Sequence, residues 1–270
     1  MSPPLSELLE ILDLEQIDLN LFQAVHPADR ERRLYGGQIM AQALVAASRT
    51  VEDRPVHSLH GYFLRPGDPK IPALIKVERL RDGGSFSSRR VLVVQHGHPI
   101  FAMDASFQVK ESGLHHQHDN PRSDLQPPVE EKIPAYLFES AFITWRHDFR
   151  KLAEQKPQAP EQYVWFRANG SLPQDPALHN ALLVFESDNT LISTARLPHR
   201  GNFDRDKMQV ASLDHAMWFH AAIDLNDWHL YAQDAPSASG GRGLSRGLIY
   251  DQRGKLVAST VQEGLIRVHN

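Results

Sequence analysis

The chain carries one pattern twice. "DGGSFSSRRVLVVQHGHPIFAMDASFQ" (82–108) can be laid on "GGRGLSRGLIYDQRGKLVASTVQ" (240–262) at a constant offset, pairing Gly84 with Gly241, Ser88 with Ser245, Arg89 with Arg246 and Gly97 with Gly254. Each stretch reads as strand, tight turn, strand, with glycine where the turn needs positive φ. Upstream, "VHSLH" (56–60) resembles "VASLDH" (210–215), each opening a strand. Two matches in the same order point to a duplicated unit, which restricts the possible folds more than any other feature here.

A helix precedes the strands in each copy. In "GGQIMAQALVAAS" (36–48), Ile39, Met40, Ala43, Leu44 and Ala47 recur at helical spacing. The second helix opens with "DPALHNALLVFESDN", where Asp175 suits an N-cap and Pro176 the first turn. Helix followed by antiparallel strands is the α+β pattern of a curved sheet wrapped around one long helix. The expected boundaries are 1–112 for the first unit, 113–134 for an exposed, polar, proline-rich linker, and 135–270 for the second unit. The second unit is expected to begin with the strand "AFITWRHDF" (141–149).

Composition removes several classes of function. At 41% hydrophobic and 23% charged residues, the 270-residue chain can fill a core as a water-soluble protein. A net charge of −4 gives no global pull toward nucleic acid or anionic membrane. Cysteine is absent, which excludes disulfides, thiolate metal sites and a cysteine nucleophile. The start "MSPPLSELLEILDLEQ" reads as neither signal nor transit peptide, no run of 18 apolar residues offers a membrane span, and the end does not spell the peroxisomal Ser-Lys-Leu. The cytoplasm is the expected compartment.

Several residues stand out against this background. The strand "LVASTVQEGLIR" (256–267) puts Leu256, Ala258, Thr260, Gln262, Gly264 and Ile266 on one face. A primary amide in that inward row costs roughly a few kcal/mol unless its hydrogen bonds are met. On the second helix, Asp188 lies at i+3 and i+4 from Phe185 and Val184, and as far before Leu191 and Ile192, so its carboxylate falls along an apolar stripe or points to water near the helix end. Ser212 in "VASLDHAMWFH" shares a face with Val210 and Trp218; Asp214, on that face too, remains a second candidate acid. Gly36-Gly37 opens a helix whose free N–H groups could hold a developing oxyanion, or simply allow close packing. "GLSRG" (243–247) imitates a nucleophile elbow, but Ser245 is followed by strand and hairpin instead of a helix. "HHQH" (115–118) lies in the polar linker with nothing to fix metal geometry.

Taken together, "YGGQIMAQAL", "VHSLHGYFLRPGDP", "RDGGSFSSRRVLVVQHGHPIF", "WFRANGSLP", "SLDHAMWFH" and "ASTVQEGLIR" resemble the acyl-CoA thioesterase II family over nearly the whole chain. The resemblance implies a tandem double hotdog fold and hydrolysis of fatty acyl-CoA to free acid and coenzyme A. It implies no metal and no cofactor, coenzyme A being part of the substrate. The family's water-holding Asp, Thr or Ser, and Gln fall on Asp188, Ser212 and Gln262, serine being a small departure from threonine. A covalent route through Ser212 is disfavoured, since no histidine is evidently assigned to activate it. Association into a homodimer or homotetramer is expected. The rivals are another hotdog acyl-CoA enzyme such as a hydratase, and a protein that sequesters acyl-CoA without cleaving it.

Overall fold

Alternation of inward apolar and outward polar residues builds the strands, and two helices with little polar surface give the sheet something to wrap. The computed structural model describes residues 3–26, 33–147 and 154–269. The first half contains α1 (Leu5–Leu12), β1 (Glu15–Asp18), β2 (Leu21–Ala24), α2 (Gly36–Ser48), β3 (Val56–Phe63), β4 (Ala73–Asp82), β5 (Phe86–Gln95) and β6 (His98–Gln108). The second contains β7 (Phe142–Arg146), β8 (Glu161–Ala168), α3 (Pro176–Thr194), β9 (Met208–Ser212), β10 (Asp214–Phe219), β11 (His229–Ser239), β12 (Arg242–Asp251) and β13 (Leu256–Val268).

All strands join one antiparallel sheet in the order β1-β2-β4-β5-β6-β3-β10-β13-β12-β11-β8-β7, with β9 beside β13. Read outward from the centre, both halves repeat the same sequence of strands, and α2 and α3 occupy matching places between the second and third strand. The halves meet where β3 pairs with β10, Leu59 opposite Met217 and His60 opposite Ala216. This is the tandem double hotdog. Asp175 caps α3 as expected, accepting from the N–H groups of Ala177 at 2.9 Å and Leu178 at 3.3 Å.

Two expectations need correction, and a third gains detail. The strand expected at 141–149 is shorter, ending at Arg146, and residues 148 and 149 lie outside the described residues. The segment 113–134 is largely exposed but is tied down along the second half. Gln117 bonds Gly254 and Leu256, the Asp119 carbonyl accepts from Tyr250, and Leu125 is buried with Trp165 and Leu230. The constant-offset overlay is also out of step in one strand. Arg89 lies opposite Ala105 facing inward, as Ser245 lies opposite Gln262, while Arg90 and Arg246 are the exposed arginines paired with Asp104 and Asp234. The hairpin loop between β12 and β13 is longer than the two-residue His96-Gly97 turn, so matching the turn glycines shifts the preceding strand by one residue. A one-residue shift exchanges the two faces of a strand.

Candidate active site

Helix α2 points its N-terminus at the middle of α3. The approach is close: a β-carbon on Gly36 would stand 2.7 Å from Asp188 Oδ2, and one on Gly37 would overlap the carbonyl oxygen of Phe185. Tyr35 secures the crossing by donating from its hydroxyl to that same carbonyl at 2.9 Å and meeting the Phe185 ring edge-on. The glycine pair is therefore needed for packing and also for what its backbone does next.

Asp188 is only 6% exposed. Its Oδ2 accepts the Gly37 N–H at 2.9 Å. Its Oδ1 accepts from the Ser212 hydroxyl at 3.2 Å and from Gln262 Nε2 at 2.5 Å, and Gln262 Nε2 also donates to Ser212 Oγ at 3.1 Å. Three side chains from α3, β9 and β13 thus close a ring of hydrogen bonds, with the positive end of α2 against the carboxylate. The suggestion that the Gly37 N–H holds an oxyanion is corrected here, because that donor is committed to Asp188. Asp188 also lies in the middle of α3 and not near its end, so the alternative of a carboxylate pointing freely to water does not hold.

Beside this ring lies a cavity of about 510 Å³ lined by Tyr35, Gly36, Phe63, Leu64, Ile192 and Ser212, among others, with Asp188 at its wall. Both halves of the chain contribute to it, and most of the named lining is apolar. Arg33 and Arg65 also border it, their guanidinium groups bonded to the carbonyls of Val210 and Pro99.

Asp214 does not join the ring. Its Oδ1 accepts the Glu263 N–H at 2.7 Å, holding the chain where β9 gives way to β10. Ser245 sits within β12, without the strand-to-helix turn an elbow requires. Among the described residues, no group of three or more His, Asp or Glu side chains is arranged to hold a metal ion.

Two buried titratable groups flank Asp188 and escaped the sequence reading. Glu186 accepts at Oε1 from the Thr144 hydroxyl at 2.7 Å and from Asn189 Nδ2 at 3.0 Å, and burial pushes its pKa up to about 7. His215 bonds Ser187 through Nε2 at 3.0 Å, while the Ser187 hydroxyl gives its own proton to the Val184 carbonyl. Nε2 must then be the donor, leaving Nδ1 with the lone pair. Burial pulls His215 well below the usual imidazole range, against the opposing pull of Asp188, so the ring is neutral at neutral pH. Glu186 carried a legible signal, a charge two residues from Asp188 on a mostly apolar helix. His215 carried none beyond lying next to Asp214.

A cavity with a buried, hydrogen-bonded carboxylate on a helix-in-sheet scaffold is the architecture of a hotdog thioester hydrolase. Family models described as "Acyl-CoA thioesterase" and "Acyl-CoA thioesterase N-terminal domain" match residues 141–265 and 26–108. The chain belongs to the acyl-CoA thioesterase family. It is 40% identical to "Acyl-CoA thioesterase 2" of Haemophilus influenzae over 99% of both chains. It is also 40% identical to human "Acyl-coenzyme A thioesterase 8", covering 96% of this chain and 88% of that one. Among solved structures, "Acyl-CoA thioesterase II TesB2" from Mycobacterium marinum superposes with a TM-score of 0.85 at 45% identity, over 97% of this chain and 99% of that one.

Proposed function

We propose that the protein hydrolyses fatty acyl-CoA to free fatty acid and coenzyme A, using one water held by Asp188, Ser212 and Gln262. The observation that carries this reading is the ring of hydrogen bonds beside a largely apolar cavity. A binding protein for acyl chains would gain nothing from a carboxylate there, because a buried charge must be held by partners at a desolvation cost. In the reaction, water takes a place beside Asp188 with its oxygen aimed at the thioester carbon. Asp188 accepts one proton as the C–O bond forms, and Ser212 Oγ accepts the water's other hydrogen. Gln262 fixes the water's direction through the two groups that its N–H donors hold, none of this changing the protonation state of Ser212 or Gln262. The tetrahedral adduct then collapses with cleavage of the C–S bond, and the proton leaves on the thiolate sulfur of coenzyme A. The chemistry calls on no cofactor.

Ser212 is a positioning hydroxyl and not a nucleophile: its proton goes to Asp188, and no histidine among the described residues is bonded to it. The exposed Arg33 and Arg65 beside the cavity suit the phosphates of coenzyme A. Self-association and residence in the cytoplasm belong to the same reading, and self-association is supported by the terminal strands β1 and β7, each of which pairs on one side alone among the described residues. No helix among the described residues is long and apolar enough to cross a membrane.

The test is a panel of acyl-CoA chain lengths given to the purified protein, with thiol and free acid both quantified. The expected outcome is one thiol and one acid per thioester consumed. Tight binding without thiol release, or hydration of an enoyl-CoA instead, would replace this reading with one of its rivals.

A further inference from the structure

Gln262 can hold Asp188 and Ser212 in the ring only if its amide faces the right way. The oxygen and nitrogen of a primary amide are nearly the same size, so shape alone does not choose between the two orientations. Nε2 is turned toward Asp188 and Ser212, which leaves Oε1 on the other side. That oxygen is buried and has no hydrogen-bond partner among the described residues. Leaving it unmet would cost much of what the ring gains.

Two neighbours share this condition. Ser245 lies directly opposite Gln262 on β12, and its buried hydroxyl has no partner among the described residues. On the other side, the pairing of Ala216 with Val261, carried on by one residue, brings His215 of β10 beside Gln262, and His215 Nδ1 too is buried without a partner among the described residues. Ser245, Gln262 and His215 are each 0% exposed. Three adjacent strands thus contribute a row of three buried side chains, each with one unmet polar atom.

The hydrogen-bonding roles of these atoms are complementary. Ser245 offers a proton, Gln262 Oε1 accepts one, and His215 Nδ1 accepts another, since the Ser187–Val184 bond fixes its tautomer. One donor and two acceptors match a single water molecule, which accepts one hydrogen bond and gives two. A buried water typically makes about three such bonds. We propose that Ser245 and His215 are positioning residues that hold one buried structural water against Gln262 Oε1, and so lock the amide with its nitrogen toward Asp188. This water is distinct from the one that attacks, and the proposal rests on the reading of Gln262 as part of the hydrolytic ring. It also gives Ser245 a purpose: the serine of "GLSRG" acts through Gln262 without touching substrate.

The decisive experiment joins a crystal structure of the wild-type protein at about 1.5 Å resolution to a double-mutant cycle. The density is expected to show one ordered water within hydrogen-bond distance of Ser245 Oγ, Gln262 Oε1 and His215 Nδ1. Density with no water shared by these atoms would overturn the proposal, whatever the variants do. In the cycle, Ser245→Ala is expected to lower kcat about three- to tenfold, the range of one hydrogen bond, with KM nearly unchanged. The same substitution placed on Gln262→Ala should cost nothing further. An unchanged kcat for Ser245→Ala, or the same loss in both backgrounds, would also overturn it, since a merely structural serine acts independently of Gln262. Normal turnover by Gln262→Ala would instead bring down the hydrolytic reading itself, and the density would still decide whether the water is there.

Discussion

Ser212 and Asp188 are joined through a hydroxyl, and the proposed chemistry asks only for that hydroxyl. Ser212→Thr should keep most of the wild-type kcat, whereas Ser212→Ala should lose about tenfold or more, both read by thiol release. Equal activity in all three proteins would remove Ser212 from the site. Glu186 makes a different prediction. Its pKa is raised to about 7 in the folded chain, chiefly by desolvation. The folded protein therefore keeps that proton over a range where the unfolded chain has released it, so stability falls as pH rises from about 4.5 through about 7. Both hydrogen bonds, from Thr144 and Asn189, reach Oε1, which an amide can reproduce. Glu186→Gln should match the wild-type Tm at low pH and exceed it increasingly toward pH 8, the gain in stability being at most about 3–4 kcal/mol. A Tm difference that does not vary with pH would contradict this. Some of these residues were legible in the sequence. The inward row exposed Gln262, and the apolar stripe exposed Asp188. Ser212 looks like any strand hydroxyl until its two partners arrive from distant segments, and only the family resemblance singled it out.

The packing of α2 against α3 carries the next test. Gly37 serves as both spacer and donor, so Gly37→Ala should fail twice: its new methyl meets the Phe185 carbonyl, and the shift needed to relieve that overlap pulls the N–H from Asp188. We expect a fall in stability of at least about 2 kcal/mol in thermal unfolding, together with loss of turnover. A variant with the wild-type Tm and kcat would show that the helices are not in this contact. The sequence announced the glycine pair at a helix start but not its use. Free N–H groups there suit an oxyanion or a carboxylate equally well, and only the position of the second helix decides between them. Single-strand register was likewise hard to read. The repeated glycines Gly97 and Gly254 both occupy left-handed turns, yet the loops differ in length, and Arg89 consequently takes the inward place that Ser245 has in the other copy. There its buried guanidinium ties Thr50, just past the end of α2, to Asp82.

The whole molecule pairs two halves of the same plan and equips only one. Ala105 stands on β6 where Gln262 stands on β13, and α2 carries no acid to match Asp188. The half without a carboxylate instead supplies the helix end that holds it and part of the cavity wall. Duplication, fold class and the asymmetry between copies could all be read from the chain, because each is written in local pattern. The cavity could not, since its walls come from segments far apart in sequence and its shape depends on how the halves meet. That one carboxylate drives hydrolysis for the entire assembly is tested most directly by thiol release from saturating long-chain acyl-CoA, comparing Asp188→Asn with the wild type. Loss of at least about a hundredfold in kcat, with KM changed little, is the expected result; a kcat within about threefold of the wild type would mean that the water is activated elsewhere.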